Sequence, residues 1–289
     1  MEKRAKGAVV ARVAVVTDST AYIPAEISKK YGIAVVPLNV QWNGAVYDEA
    51  DPSAVEVLAA LRSGELATTS RPSPERFSAL YEKLAASGAM EIVSIHISSS
   101  MSGTSEAAQL AAQSASVPVH VVDSRTVGMA MGYGVIAAAL AADEGLSGIE
   151  VVEVAKRRIA ATNIFFSVAK LENLRRSGRI SRGASLLATA LAIKPILTVE
   201  DGHVVAQERV RTQAGAIKRL EEMAIEATKN RAVDVAVHHL GAAELANTFA
   251  TNLREVISGV GQVVITEVGA VVGTHVGPGA IAVVIAPRI

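Results

Sequence analysis

The chain has 289 residues, of which 50% are apolar and only 19% charged, below the usual charged share of about 25%. Lys plus Arg and Asp plus Glu number 28 each, so the formal charge is zero and the electrostatic footprint of a nucleic-acid binder is missing. Cysteine is absent, which excludes disulfides, thiolate metal sites and cysteine nucleophiles and suits a reducing cytoplasm. The length predicts one large domain or two small ones, and the apolar share predicts a large buried interior.

In chain order, the basic opening before Val13 reads as a tail rather than a signal peptide. Arg12 interrupts its apolar run and Thr17-Asp18-Ser19-Thr20 ends it. Val13–Val16 predicts a strand, Pro24–Tyr31 a helix stopped by Gly32, and Ile33–Val40 a second strand. Asp51-Pro52 opens a helix that Gly64 closes. Ser73-Pro74 opens another, with Phe77, Leu80, Tyr81 and Leu84 on one face. A strand at Ile92–Ile97, a helix at Ser102–Ala115 and a strand at Val117–Val122 follow. Helices are expected at Thr126–Ala142 and Ile149–Ala161. The run Val127–Ala142 is the longest apolar stretch, and it is too short and too rich in glycine to cross a bilayer. Its Gly128, Gly132 and Gly134 suit close helix packing.

The second half starts with a strand at Ile164–Ala169, where Phe165 and Phe166 point to opposite faces. Short helices are expected at Leu171–Arg176 and Ala184–Leu191. Asp201-Gly202 between Ile196–Val199 and Val204–Val210 is a hairpin signal. A long helix at Thr212–Lys229 is followed by a strand at Val233–His238, a helix at Ala243–Ile257, a strand at Val263–Thr266 and a last strand at Ala280–Ala286. His238 and His239 are neighbours in a strand, so they face opposite ways and do not chelate one metal together. The alternation predicts an α/β protein of two domains: 1–161 with a parallel sheet, and 162–289 with a hairpin added.

Four segments carry candidate chemistry. Thr68-Thr69-Ser70-Arg71-Pro72 precedes a capped helix start, and reads either as a capping loop or as a donor set for an anion. Ile97-Ser98-Ser99-Ser100-Met101-Ser102-Gly103-Thr104 follows a buried strand and opens a helix. Hydroxyls, free amides and a positive dipole end there suit a small anion such as a carboxylate or phosphate. His275 stands between Gly273 and Gly277-Pro278-Gly279, where a close approach to the backbone is permitted and a charged imidazole is available to an anion near neutral pH. Arg175-Arg176-Ser177-Gly178-Arg179 reads as a solvated turn, an anion contact or a docking site for an acidic partner. Neither a phosphate-binding P-loop nor a Gly-x-Ser-x-Gly nucleophile turn occurs.

Taken together, these segments resemble the DegV family of bacterial fatty-acid-binding proteins. The matching pieces are Val15-Val16-Thr17-Asp18-Ser19-Thr20, Thr69-Ser70 with Pro72-Ser73-Pro74, Ile97-Ser98-Ser99 with Ser102-Gly103-Thr104, Val122-Asp123-Ser124, Leu171-Glu172-Asn173-Leu174 with Gly178-Arg179-Ile180, Lys194-Pro195-Ile196-Leu197, and Thr274-His275-Val276-Gly277-Pro278-Gly279. The resemblance implies two α/β domains with a lipid tunnel at and near their interface. It implies no cofactor, and as ligand one long-chain fatty acid such as palmitate, stearate or oleate. Thr69 and Ser102 are expected to bond its carboxylate, with Ser70, Ser99, Gly103 and His275 nearby. The implied partner is a separate fatty acid kinase that phosphorylates the bound acid to acyl phosphate for phospholipid synthesis, with Arg175 and Arg179 as docking or anion contacts. The implied carrier is cytoplasmic, catalyses nothing itself, binds no nucleic acid and makes no stable membrane insertion. Arg71 stands where the family commonly has Gln.

With aromatics at 3%, the tunnel walls are expected to be mainly Val, Ile, Leu, Ala and Met. Two other readings use the same loops. One is a serine esterase or phosphoryl transferase, with Ser99 or Ser102 as nucleophile, His275 as base and Asp18 or Asp123 orienting it. The other is a regulator that binds a sugar phosphate or nucleotide.

Overall fold

The computed structural model describes residues 13–180 and 193–288. The expected helix at 184–191 therefore lies outside the described residues. Strands β1 (Val13–Asp18), β2 (Ala34–Val36), β6 (Glu91–His96) and β7 (Val119–Asp123) form an all-parallel sheet in the order β2-β1-β6-β7. A small antiparallel sheet holds β3 (Asn39–Trp42), β4 (Ala45–Asp48) and β5 (Thr68–Ser70) in the order β4-β3-β5. A six-stranded sheet contains β8 (Asn163–Ser167), β9 (Lys194–Glu200), β10 (His203–Val210), β11 (Val233–His239), β12 (Val260–Glu267) and β13 (Ile281–Pro287), in the order β10-β9-β8-β13-β11-β12. Only its β11–β12 pair is parallel.

Helices cover these sheets in layers. On one face of the parallel sheet lie α3 (Pro74–Ala86) and α4 (Thr104–Ala112), where Phe77 and Tyr81 pack with Val16, Val36, Ile92 and Ala107. The opposite face packs on α5 (Met129–Asp143) and α6 (Gly148–Ala161), through Val15, Val93, Ile95, Met131, Val135 and Val151. Gly134 of α5 lets α6 come close, since a Cβ there would meet Ala155 O at 3.2 Å. The other side of α5 does not face water. Met129, Ala130 and Tyr133 pack on Ile164, Ala236, Val264 and Val284 of the six-stranded sheet. A helix buried on both sides must be apolar all round, which explains the long apolar run noted in the sequence. The far face of the six-stranded sheet is covered by α8 (Gln213–Thr228) and α9 (Ala243–Val256), around Leu220, Phe249 and Leu253. Short helices α1 (Ala25–Lys30), α2 (Ala54–Arg62), α7 (Glu172–Arg176) and α10 (Ala270–Val276) complete the described fold.

The expected strand at Ile33–Val40 is two strands in two different sheets. Pro37 has no N–H for a ladder, and the chain leaves the parallel sheet after Val36 to re-pair as β3 with β4 and β5. The connecting turn is Asn43-Gly44 with φ of 49° and 78°, a strong hairpin signal in its own right. The expected helix at Ser102–Ala115 is shorter at both ends, because Ser102 and Gly103 turn into it and the N-cap is Gly103. Helix α10 falls where no helix was expected. Among the described residues no helix is long and apolar enough to cross a membrane.

The second half touches the first through a hairpin tip. Ser98 Oγ donates to Gly202 O at 2.8 Å, and the exposed Arg125 pairs with Asp201 at 3.1 Å. Gly202 has φ of +83°, and a Cβ there would stand 2.6 Å from Ser98 Oγ. Gly202→Ala is expected to cost about 1–2 kcal/mol through left-handed strain and displacement of Ser98, read as a lower urea midpoint. Arg125→Ala, at a solvent-screened pair, should leave that midpoint nearly unchanged.

Candidate functional site

The Ser98 loop owes its position to a buried polar chain. The Asp18 carboxylate at the end of β1 accepts from Ile97 N at 3.0 Å, from Thr20 N at 3.0 Å and from Thr20 Oγ1 at 2.5 Å. His96 Nδ1 lies 3.1 Å from Asp18, its Nε2 lies 2.7 Å from Ser94 Oγ, and Tyr81 OH donates to Ser94 at 2.9 Å. All five side chains are buried, so each bond offsets a desolvation cost that would otherwise destabilise the strand ends. The chain ties β1 to β6 and fixes where the loop after β6 begins.

That loop, β5 and α10 enclose a cavity of about 350 Å³, within the range of roughly 300–1,000 Å³ found for small-molecule sites. Its polar end contains Thr69 and Ser70 of β5, Ser102, Gly103 and His275. Thr69 Oγ1 and His275 Nε2 are 3.0 Å apart, which joins residues 206 positions apart in the chain. Ser102 Oγ lies 2.8 Å from Thr104 Oγ1. His275 Nδ1 is buried and has no hydrogen-bond partner among the described residues. The rest of the wall is apolar, with Leu38, Val127, Phe166, Val204, Val272 and Val276 prominent. A narrower space of about 60 Å³ shares Val127, Phe166, Val272 and Val276 with it and runs on toward Ile164, Ala282 and His238. The strand alternation of the two phenylalanines holds: Phe166 faces the cavity, and Phe165 packs toward α8 and α9.

Two guanidinium groups also line the cavity. Arg71 Nη1 donates to Glu106 at 2.9 Å and to Gly103 O at 3.4 Å. Arg179 donates through Nε to Met101 O at 3.2 Å and through Nη1 to Ser177 O. Burial, then the charges of Arg179 and Arg176, push the His275 imidazole down to about 4. The expectation of a charged imidazole near neutral pH is therefore corrected. His275 is neutral there, and the fixed positive charge at this end is that of the arginines.

Ser99 and Arg175 stand apart from this group. Ser99 N and Oγ both donate to Asp123, at 3.1 and 2.5 Å, on the exposed side of the loop. Arg175 is exposed on α7 and does not line the cavity. The nucleophile, base and acid of the hydrolase reading are likewise not assembled, since Asp18 is occupied with His96 and Thr20 and Asp123 with Ser99 and Arg125. Among the described residues no cluster of His, Cys, Asp or Glu could hold a metal ion. Two features escaped sequence reasoning. His96, in an apolar strand directly before the serine loop, carried a signal in its position. The pairing of Glu49 and Tyr22 with α10 carried none, because it joins residues more than 200 apart.

Fold and site together define a layered two-domain α/β protein with an apolar cavity closed at one end by hydroxyls and an imidazole. The family model for the DegV family, described as an uncharacterised protein, matches residues 12–288. A DegV domain-containing protein of Streptomyces coelicolor is 44% identical over 277 residues, covering 96% of this chain and 99% of that protein. Among solved structures, a DegV family protein from Thermus thermophilus, reported for its fatty acid binding, superposes with a TM-score of 0.89 at 32% identity, covering 96% of this chain and 100% of that one. DegV from Bacillus subtilis, described as a fatty acid binding protein, gives 0.87 at 32% identity over 96% and 99%. The chain belongs to the DegV family.

Two buried imidazoles make stability depend on pH. His238 is also pushed down to about 4 by burial; its Nε2 accepts from Met129 N at 3.0 Å and its Nδ1 lies 2.7 Å from Thr266 Oγ1. Between about pH 6.5 and pH 4 the unfolded chain binds protons at these rings and the folded chain does not. Stability is therefore full above about pH 6.5 and falls with pH, by on the order of 3 kcal/mol per ring. Urea midpoints measured across this window should drop steadily in the wild type, and less steeply in His238→Gln.

Proposed function

We propose that this protein is a non-catalytic carrier of one long-chain fatty acid, which it presents to a separate fatty acid kinase. The observation that carries the reading is the shared cavity end of Thr69, Ser102 and His275, backed by walls of valine and phenylalanine. A chain with roughly 14 methylenes gains on the order of 11 kcal/mol gross from burial at ~0.8 kcal/mol each, and association and ordering remove much of it. A carboxylate does not enter such a space unpaired, because its desolvation costs several kcal/mol. Ser70 and Ser102 supply hydroxyl donors, and the Thr69–His275 pair supplies one more: with the ring proton on Nε2 that nitrogen donates to Thr69 and the Thr69 hydroxyl is free for the carboxylate, and with it on Nδ1 the ring donates to the ligand while Thr69 donates to Nε2. Arg179 adds charge without a net proton change. The fatty acid binding reported for the Thermus and Bacillus relatives supports the same ligand class.

In this reading residues 1–161 and 162–289 are the two units between which the acyl chain lies. The carboxylate end is the one the kinase reaches, and transfer of a phosphoryl group to it gives the acyl phosphate used for phospholipid synthesis. Arg175 and Arg179, with Arg176, form the basic docking face for that partner.

Native mass spectrometry of protein purified from a bacterial cytoplasm should show one adduct with the mass of palmitate, stearate or oleate. Protein that is empty and also fails to bind added oleate would refute the carrier reading. Replacing Thr69 and Ser102 by Ala should weaken oleate by roughly tenfold or more and leave oleyl alcohol little changed. For the docking face, Arg175→Ala should slow phosphorylation of bound oleate by a fatty acid kinase about tenfold without altering oleate affinity.

A further inference from the structure

Helix α10 carries His275 on its last turn but has no cap of its own, since Gly269 precedes it and offers no side chain. Its first amides are met from the other half of the molecule. Val271 N donates to Glu49 Oε1 at 2.8 Å, Val272 N donates to the Tyr22 hydroxyl at 3.3 Å, and Tyr22 OH donates to the same Glu49 oxygen at 3.1 Å. The carboxylate sits so close to the helix start that a Cβ on Gly269 would overlap it. At the other end of the helix His275 meets Thr69. Glu49 directly follows β4 and Thr69 lies in β5 of the same small sheet. One sheet therefore holds this seven-residue helix at both ends.

Val271 and His275 are four residues apart, on one face and about 6 Å apart along the axis. A hydrogen bond of 3.0 Å is lost with a shift of well under 1 Å, so a displaced helix start takes the imidazole out of reach of Thr69. The carboxylate also faces the positive end of the helix, where an anion is favoured. Burial raises the pKa of Glu49 against the hydrogen bonds from Ser19, Val271 and Tyr22 that lower it, and burial with the Glu49 charge raises that of Tyr22.

We propose that Glu49, together with Tyr22, is a positioning residue for carboxylate recognition: it fixes the start of α10 and so keeps His275 in register with Thr69. This rests on the carrier reading above. The test compares oleate and oleyl alcohol affinities in wild type, Glu49→Ala, Glu49→Gln and Tyr22→Phe, with the 15N shifts of the His275 ring recorded alongside. Glu49→Ala should weaken oleate about tenfold and oleyl alcohol less than about twofold, and should move the His275 ring shifts. Glu49→Gln keeps an acceptor for Val271 N and should restore most of the affinity. Tyr22→Phe should fall between the two, and serves if Glu49→Ala does not fold. In a His275→Ala background the Glu49 substitution should cost oleate nothing further. Equal weakening of acid and alcohol, or an undiminished effect without His275, would overturn the assignment of Glu49. Wild type that binds neither ligand would overturn the carrier reading instead.

Discussion

The packing of both large sheets against opposite sides of α5 is the constraint from which the rest of the architecture follows. Met131 and Val135 fill the space under the parallel sheet, and Met129 and Tyr133 fill that under the six-stranded sheet. A helix used twice in this way fixes the separation of the sheets. Near its N-terminus, Val127 and Gly128 border an apolar space that α10 and the serine loop also line. The polar residues at its rim come from β5 (Thr69, Ser70), from the loop at the carboxyl end of β6 (Ser102, Gly103), where an α/β sheet ordinarily collects its functional groups, and from α10 (His275).

The site combines fixed and free polar atoms. Asp18, Ser94 and His96 have their hydrogen-bonding capacity taken up within the fold, and they act on the cavity only by holding its edge. His275 is different, since one ring nitrogen faces Thr69 and the other is buried without a partner among the described residues. A buried polar atom left open in this way costs stability, and in the tautomer that protonates Nδ1, with Thr69 donating to Nε2, a ligand oxygen is the natural group to offset it. The ring's neutrality matters here, because a neutral imidazole beside Arg179 needs no counter-charge of its own.

Much of the fold was legible because its signals are local. Ser73-Pro74 and Asp201-Gly202 are read from cap and turn chemistry, and the structure places α3 and the β9–β10 hairpin there; the long helix expected from Thr212 is α8. Thr69, Ser102 and His275 were legible as types and positions, though nothing in the spacing says that residues 69 and 275 touch. Errors arose where tertiary context overrode a local pattern. The apolar run from Ile33 looked continuous, and it divides at Pro37 because its two parts serve different sheets. The Gly273–Gly279 segment around His275 carried no helix signal, yet residues 270–276 form a helix whose first amides Glu49 and Tyr22 meet from far along the chain. Ser99 looked equivalent to its serine neighbours, but Asp123 draws it to the outer side of the turn.

The place of β13 bears on how the molecule is made. This strand comes last in the chain, yet it lies in the interior of the six-stranded sheet, between β8 and β11. While the polypeptide emerges from the ribosome, the N-terminal layers are complete early, with the second flank of α5 still bare. That oily flank is not fully covered until β13 slots between strands already synthesised. The six-stranded sheet thus closes only once β13 has been made, and an apolar flank left bare until then is the kind of surface through which partly folded chains aggregate.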